Sequence, residues 1–219
     1  MSLWIKICAN TSLEDARLAV DAGADAVGFV FAPSPRRVTA AQVAGITPYL
    51  PAAVEKIGVF VDAALDEIET TVRACGLTGV QLHSEAGPEL VAGLRARFGP
   101  ALHILRVVHF GAGAAEQAAA IAHDANVDAV LVDSRTATAV GGTGVAFDWA
   151  EARNTVFAKE KGLKLVAAGG LNPANVAEAI RTLRPWGVDV ASGVEAAPGR
   201  KDAAKVRDFV ANARAAGRE

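Results

Sequence analysis

The chain has 219 residues, of which 52% are hydrophobic and 21% charged, and its formal net charge is -2. This length and apolar content are enough for one α/β domain with a sizeable buried core. The near-neutral charge and the scattered basic residues exclude a surface that attracts nucleic acid or an anionic membrane as a whole. An anionic small molecule must therefore be bound by a local site. The composition carries no prediction about protein partners.

The cysteine content and the amino-terminal segment indicate where such a protein would reside. The chain contains only two cysteines, Cys8 and Cys75, which is too few for a disulfide framework, and neither lies in a zinc-binding spacing. The amino terminus has no basic stretch followed by a long apolar run, and the other apolar stretches are short or interrupted by charge. We therefore expect a soluble, cytoplasmic protein without a metal site.

Short apolar runs alternate with longer segments of helical period along the whole chain. In chain order, the predicted strands cover residues 4–8, 26–31, 57–61, 79–83, 103–107, 129–133, 163–168 and 188–191. The predicted helices that follow them cover residues 13–22, 39–50, 64–74, 88–97, 114–122, 148–157, 173–183 and 203–215.

The composition of the strands predicts how they are arranged. They are apolar along their length instead of alternating, which is typical of a parallel sheet covered by helices. Eight strand–helix units in this length predict a closed (β/α)8 TIM barrel rather than an open sheet. No linker or second composition zone interrupts the pattern, so residues 1–219 are predicted to form one catalytic barrel domain. Function is then expected at the carboxyl ends of the strands.

Two reactive side chains stand at predicted strand ends. The first strand finishes on Cys8 and the sixth on Asp133, so a barrel brings both to one mouth. A thiolate and a carboxylic acid at one site can take a proton from carbon and give one to oxygen, as a sugar isomerisation requires. We therefore predict an enzyme with Cys8 as base and Asp133 as acid. The acid role requires the pKa of Asp133 to lie above the ordinary value of about 3.9.

Each of these residue types also has a purely structural interpretation. A cysteine at the end of an apolar strand is usually a packing residue, and a single aspartate at a strand end can be a cap or turn residue. The presence of both at one barrel mouth favours chemistry. Cys75 lies near a helix end, away from any motif, and is predicted to be structural.

Lys6 has the same parity as Cys8 along the first strand. Its side chain is therefore predicted to point into the barrel just below the thiol. In that position it would pair with Asp189 of the adjacent eighth strand and favour the thiolate form of Cys8.

Small residues follow the seventh and eighth strands, where barrels of this class commonly bind phosphate. Asn172 followed by Pro173 predicts a helix that begins just after the glycine pair, with free N–H groups at its start. A phosphorylated substrate is therefore expected. The predicted phosphate ligands are Gly169, Gly170, Ser192 and Gly193.

Several motifs occur in a fixed order along the chain. They are Lys6-Ile7-Cys8, Gln81-Leu82-His83, Val132-Asp133-Ser134, Gly141-Gly142-Thr143-Gly144, Ala168-Gly169-Gly170-Leu171-Asn172-Pro173 and Ser192-Gly193-Val194-Glu195. In order and spacing they resemble the phosphoribosylanthranilate isomerase family over essentially the whole chain. The resemblance implies the Amadori rearrangement of N-(5'-phosphoribosyl)anthranilate in tryptophan biosynthesis, with no cofactor and no metal. It assigns Cys8 and Asp133 the same base and acid roles.

The resemblance also implies substrate ligands. Ser34-Pro35-Arg36 resembles the family's Ser-Pro-Arg, whose arginine binds the anthranilate carboxylate, so Arg36 is predicted to bind it as a fork of donors. Arg37 stays open as the alternative, because the family often has an aromatic residue there and this loop is one residue shorter. Lys6, His83, Gly142 and Asp189 are predicted to line the pocket, with the loop 141–144 as a cover that excludes water.

Three positions depart from the family pattern, since Ala9 and Ser84 replace glycines and Ala191 replaces a serine. Two other interpretations also stay open. One is the related histidine-pathway isomerase, which performs the same rearrangement on a doubly phosphorylated substrate and typically has a carboxylate where Cys8 stands. The other is a barrel that binds sugar phosphates without turnover. Cys8 argues against the first interpretation, and Cys8 together with Asp133 argues against the second.

Overall fold

A computed structural model of the protein describes residues 2–83, 87–134, 148–157 and 164–218. Eight parallel strands form its centre: β1 (Trp4–Ile7), β2 (Ala26–Val30), β3 (Glu55–Val61), β4 (Gly79–His83), β5 (His103–His109), β6 (Ala129–Asp133), β7 (Leu165–Ala167) and β8 (Gly187–Val190). The helices are α1 (Leu13–Asp21), α2 (Ala40–Ala44), α3 (Leu65–Cys75), α4 (Pro88–Phe98), α5 (Ala114–Ala122), α6 (Trp149–Asn154), α7 (Val176–Leu183) and α8 (Ala203–Ala216).

The strands close into a barrel in sequence order, and β8 pairs with β1 to complete it. At this seam Lys6 lies directly beside Asp189 in the register of the two strands. The predicted (β/α)8 barrel is confirmed. All eight predicted strands are present, with ends that differ from the sequence prediction by no more than a few residues.

The core has two layers because each strand is buried on both faces. The larger cluster lies between the barrel wall and the helices, and includes Ile5, Phe29 and Phe209. The second fills the barrel interior with side chains such as Trp4, Ile57 and Leu131. Side chains alternate along a strand. The side chains of Lys6 and Cys8 therefore point into the barrel like that of Trp4, and the side chain of Asp133 points inward like that of Leu131.

The helix predicted for residues 39–50 is divided. Helix α2 is capped at its start by Thr39, whose side chain accepts a hydrogen bond from the Gln42 N–H, and it ends at Gly45. A short 3₁₀ helix, Thr47–Tyr49, follows, with Pro48 in its first turn. Gly45 and Pro48 interrupt the helix because neither favours a helix interior.

The start of α7 differs from the prediction. Asn172 and Pro173 were expected to begin the helix, but α7 begins at Val176. The side chain of Asn172 accepts a hydrogen bond from the Ala174 N–H at 2.9 Å, and its own N–H donates to Asn175 Oδ1 at 2.8 Å. These bonds fold residues 172–175 into a turn, because an asparagine side chain can replace the backbone as a hydrogen-bond partner.

A small hairpin after β8 was not predicted. It consists of β9 (Glu195–Ala197) and β10 (Arg200–Lys201), which pair antiparallel through a turn at Gly199, where φ is 79°. The two strands are too short to show a period in the sequence. Within the described ranges, no helix is both long and apolar enough to cross a membrane.

Candidate active site

A cleft opens at the carboxyl ends of the strands, and most of the predicted site residues line it. Strands β1, β2, β3, β4, β6 and β8, with the loops that follow them, contribute its walls. A larger groove lined by Arg181, Arg184 and Trp186 lies at the opposite end of the barrel and contains no predicted site residue. The cleft is lined by Cys8, Ala9, Val30, Ala32, Pro33, Ser34, Arg36, Val59, Val61, Gln81, His83, Leu131, Asp133, Asp189, Ala191 and Ser192.

Cys8 follows β1 directly and is almost completely buried. Its thiol has room because residue 28 on the neighbouring strand β2 is glycine. A Cβ atom at Gly28 would lie 2.6 Å from Cys8 Sγ, which is closer than real Cβ contacts. The next residue, Ala9, has a φ of 62°, a left-handed conformation that costs a residue with a Cβ about 1–2 kcal/mol. The chain turns sharply at this point, immediately after the thiol.

A chain of hydrogen bonds crosses the barrel beneath the thiol. Lys6 Nζ donates to Asp189 Oδ1 at 2.9 Å and to Gln81 Oε1 at 2.7 Å, and its side chain has no exposed surface. The pairing predicted from strand parity is therefore confirmed. Because the Gln81 oxygen accepts from Lys6, its amide nitrogen donates to His83 Nε2, 3.0 Å away. These bonds fix the orientation of the amide and place His83 at the edge of the cleft.

As predicted, the charge of Lys6 favours the thiolate of Cys8, but the net pKa of the thiol is raised. Burial is the largest influence and raises the pKa of the Cys8 thiol. The positive charges of Lys6 and Lys201 act to lower this pKa, but they do not outweigh burial together with the nearby negative charge of Asp189. The effect expected of Lys6 is therefore present, but it does not lower the pKa of Cys8 overall. The pKa of Lys6 is raised, because the charges of Asp189 and Cys8 outweigh its burial.

Asp133 is the last residue of β6 and lines the same cleft. The loop after β7 packs closely against it. A Cβ atom at Gly169 would lie 2.6 Å from Asp133 Oδ1 and 2.1 Å from Ser134 Oγ, and the φ of Gly169 is 76°. Glycine is therefore required at position 169 by both space and conformation. One of the four residues predicted to bind phosphate thus lies against the predicted acid.

Arg36 lines the cleft, whereas Arg37 is not among the residues that line it and is exposed. The guanidinium of Arg36 is held by Glu195 in a two-point contact. Arg36 Nε donates to Oε1 at 2.8 Å, and Nη2 donates to Oε2 at 2.7 Å. In the described part of the chain, no acceptor bonds Nη1. The side of the guanidinium that carries Nη1 is therefore available to an anionic ligand.

The loops after β7 and β8 meet beside the cleft. A Cβ atom at Gly193 would lie 1.9 Å from the Leu171 carbonyl oxygen, so the two backbones touch. Gly170 has a φ of 67°, and its carbonyl accepts a hydrogen bond from the Asn175 side chain at 2.9 Å. No described residue accepts a hydrogen bond from the N–H of Gly170 or of Gly193. The two loops therefore present two backbone N–H groups close together. Such a pair of donors suits an anion with several oxygen atoms.

Other predicted residues lie apart from the cleft or outside the described ranges. Gly142 and the rest of the loop 141–144 fall outside the described residues, as does Ser84. Cys75 is buried at the end of α3, where its thiol lies 3.4 Å from the Ala40 carbonyl oxygen, and it has no place in the cleft. In the ranges that the structure describes, no group of three or more His, Cys, Asp or Glu side chains is arranged to hold a metal ion.

Sequence reasoning missed three residues that organise this region: Gln81, Glu195 and Lys201. Gln81 has the inward parity of a strand residue, which was a usable signal. Glu195 ends one of the family motifs but received no role, and Lys201 lies in none of them. Both lie on the unpredicted hairpin, through which they reach Arg36 and the backbone of Cys8.

A closed parallel barrel that gathers a thiol, a carboxyl group and an arginine fork at the ends of its strands defines a TIM-barrel enzyme with an acid–base site. A sequence model of the N-(5'-phosphoribosyl)anthranilate (PRA) isomerase family matches residues 5–212. The chain belongs to this family.

Individual relatives agree with this assignment. The chain is 47% identical over 207 residues to N-(5'-phosphoribosyl)anthranilate isomerase of Pelobacter propionicus, covering 94% of this chain and 93% of that protein. Its fold matches the crystal structure of phosphoribosyl anthranilate isomerase from Thermotoga maritima with a TM-score of 0.85 at 37% identity, covering 97% and 99% of the two chains. A structure of such an isomerase in complex with reduced 1-(o-carboxyphenylamino)-1-deoxyribulose 5-phosphate matches with a TM-score of 0.83 at 35% identity, with the same coverage.

Proposed function

We propose that this isomerase converts N-(5'-phosphoribosyl)anthranilate to 1-(2-carboxyphenylamino)-1-deoxyribulose 5-phosphate in tryptophan biosynthesis, with Asp133 as acid and Cys8 as base. The observation that carries the proposal is that Cys8 and Asp133 line one cleft in a member of this family. The arginine fork and the paired glycine loops provide anchors for the two anionic groups of this substrate.

The reaction begins with opening of the sugar ring. Asp133 gives a proton to the furanose oxygen while the anthranilate nitrogen pushes its lone pair toward C1, so the C1–O bond breaks and an iminium forms. The positive iminium acidifies the C2 hydrogen. Cys8 takes this proton as a thiolate, and the C2–H electrons form the C1–C2 double bond of an enolamine. The Cys8 thiol then returns its proton to C1, and the Asp133 carboxylate takes the proton of the C2 hydroxyl, which gives the ketone and restores both groups.

The surroundings of the thiol suit a base that acts only when the iminium forms. Burial raises the pKa of Cys8, so the thiolate is the minor form in the free enzyme, and Cys8 must lose its proton to solvent before it acts as base. A cation that develops next to the sulfur stabilises the thiolate most strongly in a buried site, because screening by water is weak there. The buried ammonium of Lys6 beneath the thiol acts in the same direction.

The substrate's two anions have separate places. The anthranilate carboxylate binds at the Nη1 side of Arg36, because Glu195 already occupies the Nε side. The phosphate binds at the loops after β7 and β8, through the backbone N–H groups of Gly170 and Gly193 with the Ser192 hydroxyl beside them. The ligand of the complex described above carries one carboxylate and one phosphate, which supports a substrate with two anionic groups.

The two cysteines fit a reducing compartment. Cys8 and Cys75 are both free cysteines in the structure. Oxidation of the Cys8 sulfur would destroy the proposed base, so the enzyme needs a reducing environment. We place the enzyme in the cytoplasm, acting on a phosphorylated small molecule without a nucleic acid or membrane partner.

The test of this function is a steady-state assay that follows the loss of phosphoribosylanthranilate fluorescence. The aminoaldose phosphate of the histidine pathway is assayed in parallel as the competing substrate. The proposal predicts saturable turnover of the anthranilate substrate and a kcat/KM for the histidine-pathway substrate that is lower by orders of magnitude. Equal or greater turnover of the histidine-pathway substrate would overturn it. Saturable binding of both compounds without turnover would instead indicate a barrel that binds sugar phosphates without catalysis.

A further inference from the structure

Lys201 is a buried cation at the edge of the active-site cleft. It lies at the end of the hairpin β9–β10, and its side chain has no exposed surface. Its ammonium donates to the Cys8 carbonyl oxygen at 2.6 Å and to the Ala191 carbonyl oxygen at 3.2 Å. It therefore joins the backbone just after β1 to the backbone just after β8, and both of these positions line the cleft.

Glu195 connects this cation to the substrate-facing arginine. Its Oε1 lies 3.4 Å from Lys201 Nζ, and its two oxygens hold Arg36 in the two-point contact described above. The same carboxylate accepts a hydrogen bond from the Gly199 N–H at 3.3 Å, which ties it to the hairpin turn. The three loops that bear Cys8, Arg36 and Ser192 thus meet at one buried pair of opposite charges.

Stability alone is a poor explanation for this pair. Removing two charges from water costs several kcal/mol each, and a buried ion pair often stabilises a fold no better than apolar residues of the same volume. Burial lowers the pKa of Lys201, while the charges of Glu195, Cys8 and Asp15 oppose that shift. Unlike apolar residues, the pair makes directional hydrogen bonds to the backbone carbonyls of Cys8 and Ala191 and to the guanidinium of Arg36.

We propose that Lys201 and Glu195 are positioning residues of the isomerisation: Lys201 holds the backbone that carries the Cys8 thiol, and Glu195 turns the Nη1 side of Arg36 toward the substrate carboxylate. This inference rests on the proposed function, because it assigns the two residues to the base and to the carboxylate ligand. Neither side chain contacts the reacting atoms. Each acts through the residue that it holds.

The two residues are expected to affect different kinetic constants. Lys201→Met removes the bonds to the Cys8 and Ala191 carbonyls and a positive charge near the thiol. It therefore lowers kcat by about tenfold or more, the effect of losing a charge-assisted hydrogen bond. Glu195→Gln keeps the shape but removes the charge that orients Arg36. It raises KM by about tenfold and changes kcat less, because carboxylate binding is shared by ground state and transition state.

A matched control separates positioning from general destabilisation. Counted over the whole residue, Lys56 and Lys201 each have 6% of their surface exposed. The Lys56 ammonium also donates to a backbone carbonyl, that of Pro51, at 2.6 Å. It lies near the start of β3, at the other end of the barrel from the cleft. Lys56→Met therefore removes another lysine that donates to a backbone carbonyl, and it is expected to lower stability without changing the properties of the thiol.

The experiment measures kcat and KM for the wild type, Lys201→Met, Glu195→Gln and Lys56→Met. It also measures the rate of Cys8 alkylation by iodoacetamide against pH, with the modified peptide identified by mass spectrometry. The inference predicts that in Lys201→Met the alkylation profile moves to higher pH and kcat falls. In Lys56→Met the profile and both constants stay within about twofold of the wild type, because residue 56 is remote from the cleft and distant sites are nearly uncoupled.

Two results would overturn the inference. One is a Lys201→Met variant with the wild-type alkylation profile and kcat. The other is a Glu195→Gln variant with unchanged KM, and this second result decides the matter if Lys201→Met does not fold. An inactive wild type would overturn the proposed function instead. In that event the alkylation profile, which needs no substrate, still tests the link between Lys201 and the thiol.

Discussion

Lys6 and Asp189 form an ion pair at the seam where the barrel closes. The Nζ and Oδ1 atoms are 2.9 Å apart, and the two residues are direct neighbours in the register of β1 and β8. The pair is buried beneath Cys8, with the Lys6 side chain inaccessible to solvent. The same contact thus joins the first strand to the last and sets part of the electric field at the thiol.

Replacing Lys6 by methionine is expected to change both stability and the thiol. The change leaves the buried charge of Asp189 without its partner, which costs about 3–5 kcal/mol. It also raises the pKa of Cys8 further, because the Lys6 charge lowers it in the wild type. Urea unfolding and Cys8 alkylation against pH check the two effects. The double variant Lys6→Met/Asp189→Asn should recover part of the lost stability, and an alkylation profile unmoved in the single variant would contradict the account.

Gly28→Ala is expected to displace the thiol. The new Cβ would lie 2.6 Å from Cys8 Sγ and 3.0 Å from Lys6 Cε, so the site must shift at a cost of about 1–3 kcal/mol. Activity should fall more than stability explains, because the base itself is moved. Gly93→Ala in α4 is the control, since its Cβ would also meet an atom at 2.6 Å, but that atom is a terminal methyl of Leu65. Kinetics that do not distinguish the two variants would refute this prediction.

The stabilisation from Glu195 is expected to disappear in acid. Its burial acts to raise its pKa, but the hydrogen bonds from Arg36 and the charges of Lys201 and Arg36 outweigh burial, and the net pKa is lowered. A carboxyl group whose pKa is lower in the folded protein than in the unfolded chain stabilises the fold. This stabilisation is fully present above the pKa of the unfolded chain, about 4.3, and is lost as pH falls through the pKa of the folded protein. The difference in unfolding free energy between the wild type and Glu195→Gln should therefore be constant from pH 7 to 5 and shrink below pH 4. A difference that stays constant down to pH 3 would show that the charge of Glu195 contributes nothing.

Arg184→Gly is expected to stabilise the fold without affecting catalysis. Arg184 follows α7 with a φ of 49°, in the left-handed conformation that favours glycine at a helix end. Gly76 occupies the same position after α3 with a φ of 57°. Thermal unfolding should give a gain of about 0.5–1 kcal/mol for Arg184→Gly and a loss of similar size for Gly76→Ala. A loss of stability in Arg184→Gly would mean that its side chain contributes more than the strain costs.

Strand periodicity and parity explain why so much of the site could be predicted. The strand ends place Cys8 and Asp133 at one mouth, and parity alone predicts the contact between Lys6 and Asp189. These features depend on local sequence and on one rule for how parallel barrels are built.

The remaining features depend on the tertiary structure. Arg36 and Glu195 are 159 residues apart, and their contact exists only because the unpredicted hairpin after β8 brings Glu195 to the loop after β2. The direction of the Cys8 pKa shift depends on how deeply the thiol is buried, which the neighbouring residues do not reveal. The late start of α7 follows from side-chain bonds made by Asn172 that compete with the helix.

The most direct test of the acid–base pair is the kcat/KM of Cys8→Ser and Asp133→Asn with N-(5'-phosphoribosyl)anthranilate, with Cys75→Ser as the control for the buried thiol outside the cleft. The account predicts that each of the first two variants loses about 100-fold or more, the usual contribution of a general acid or base. Both should still bind the reduced product analogue, and Cys75→Ser should keep wild-type activity. Activity within about tenfold of the wild type in either folded variant would remove that residue from the proton transfers.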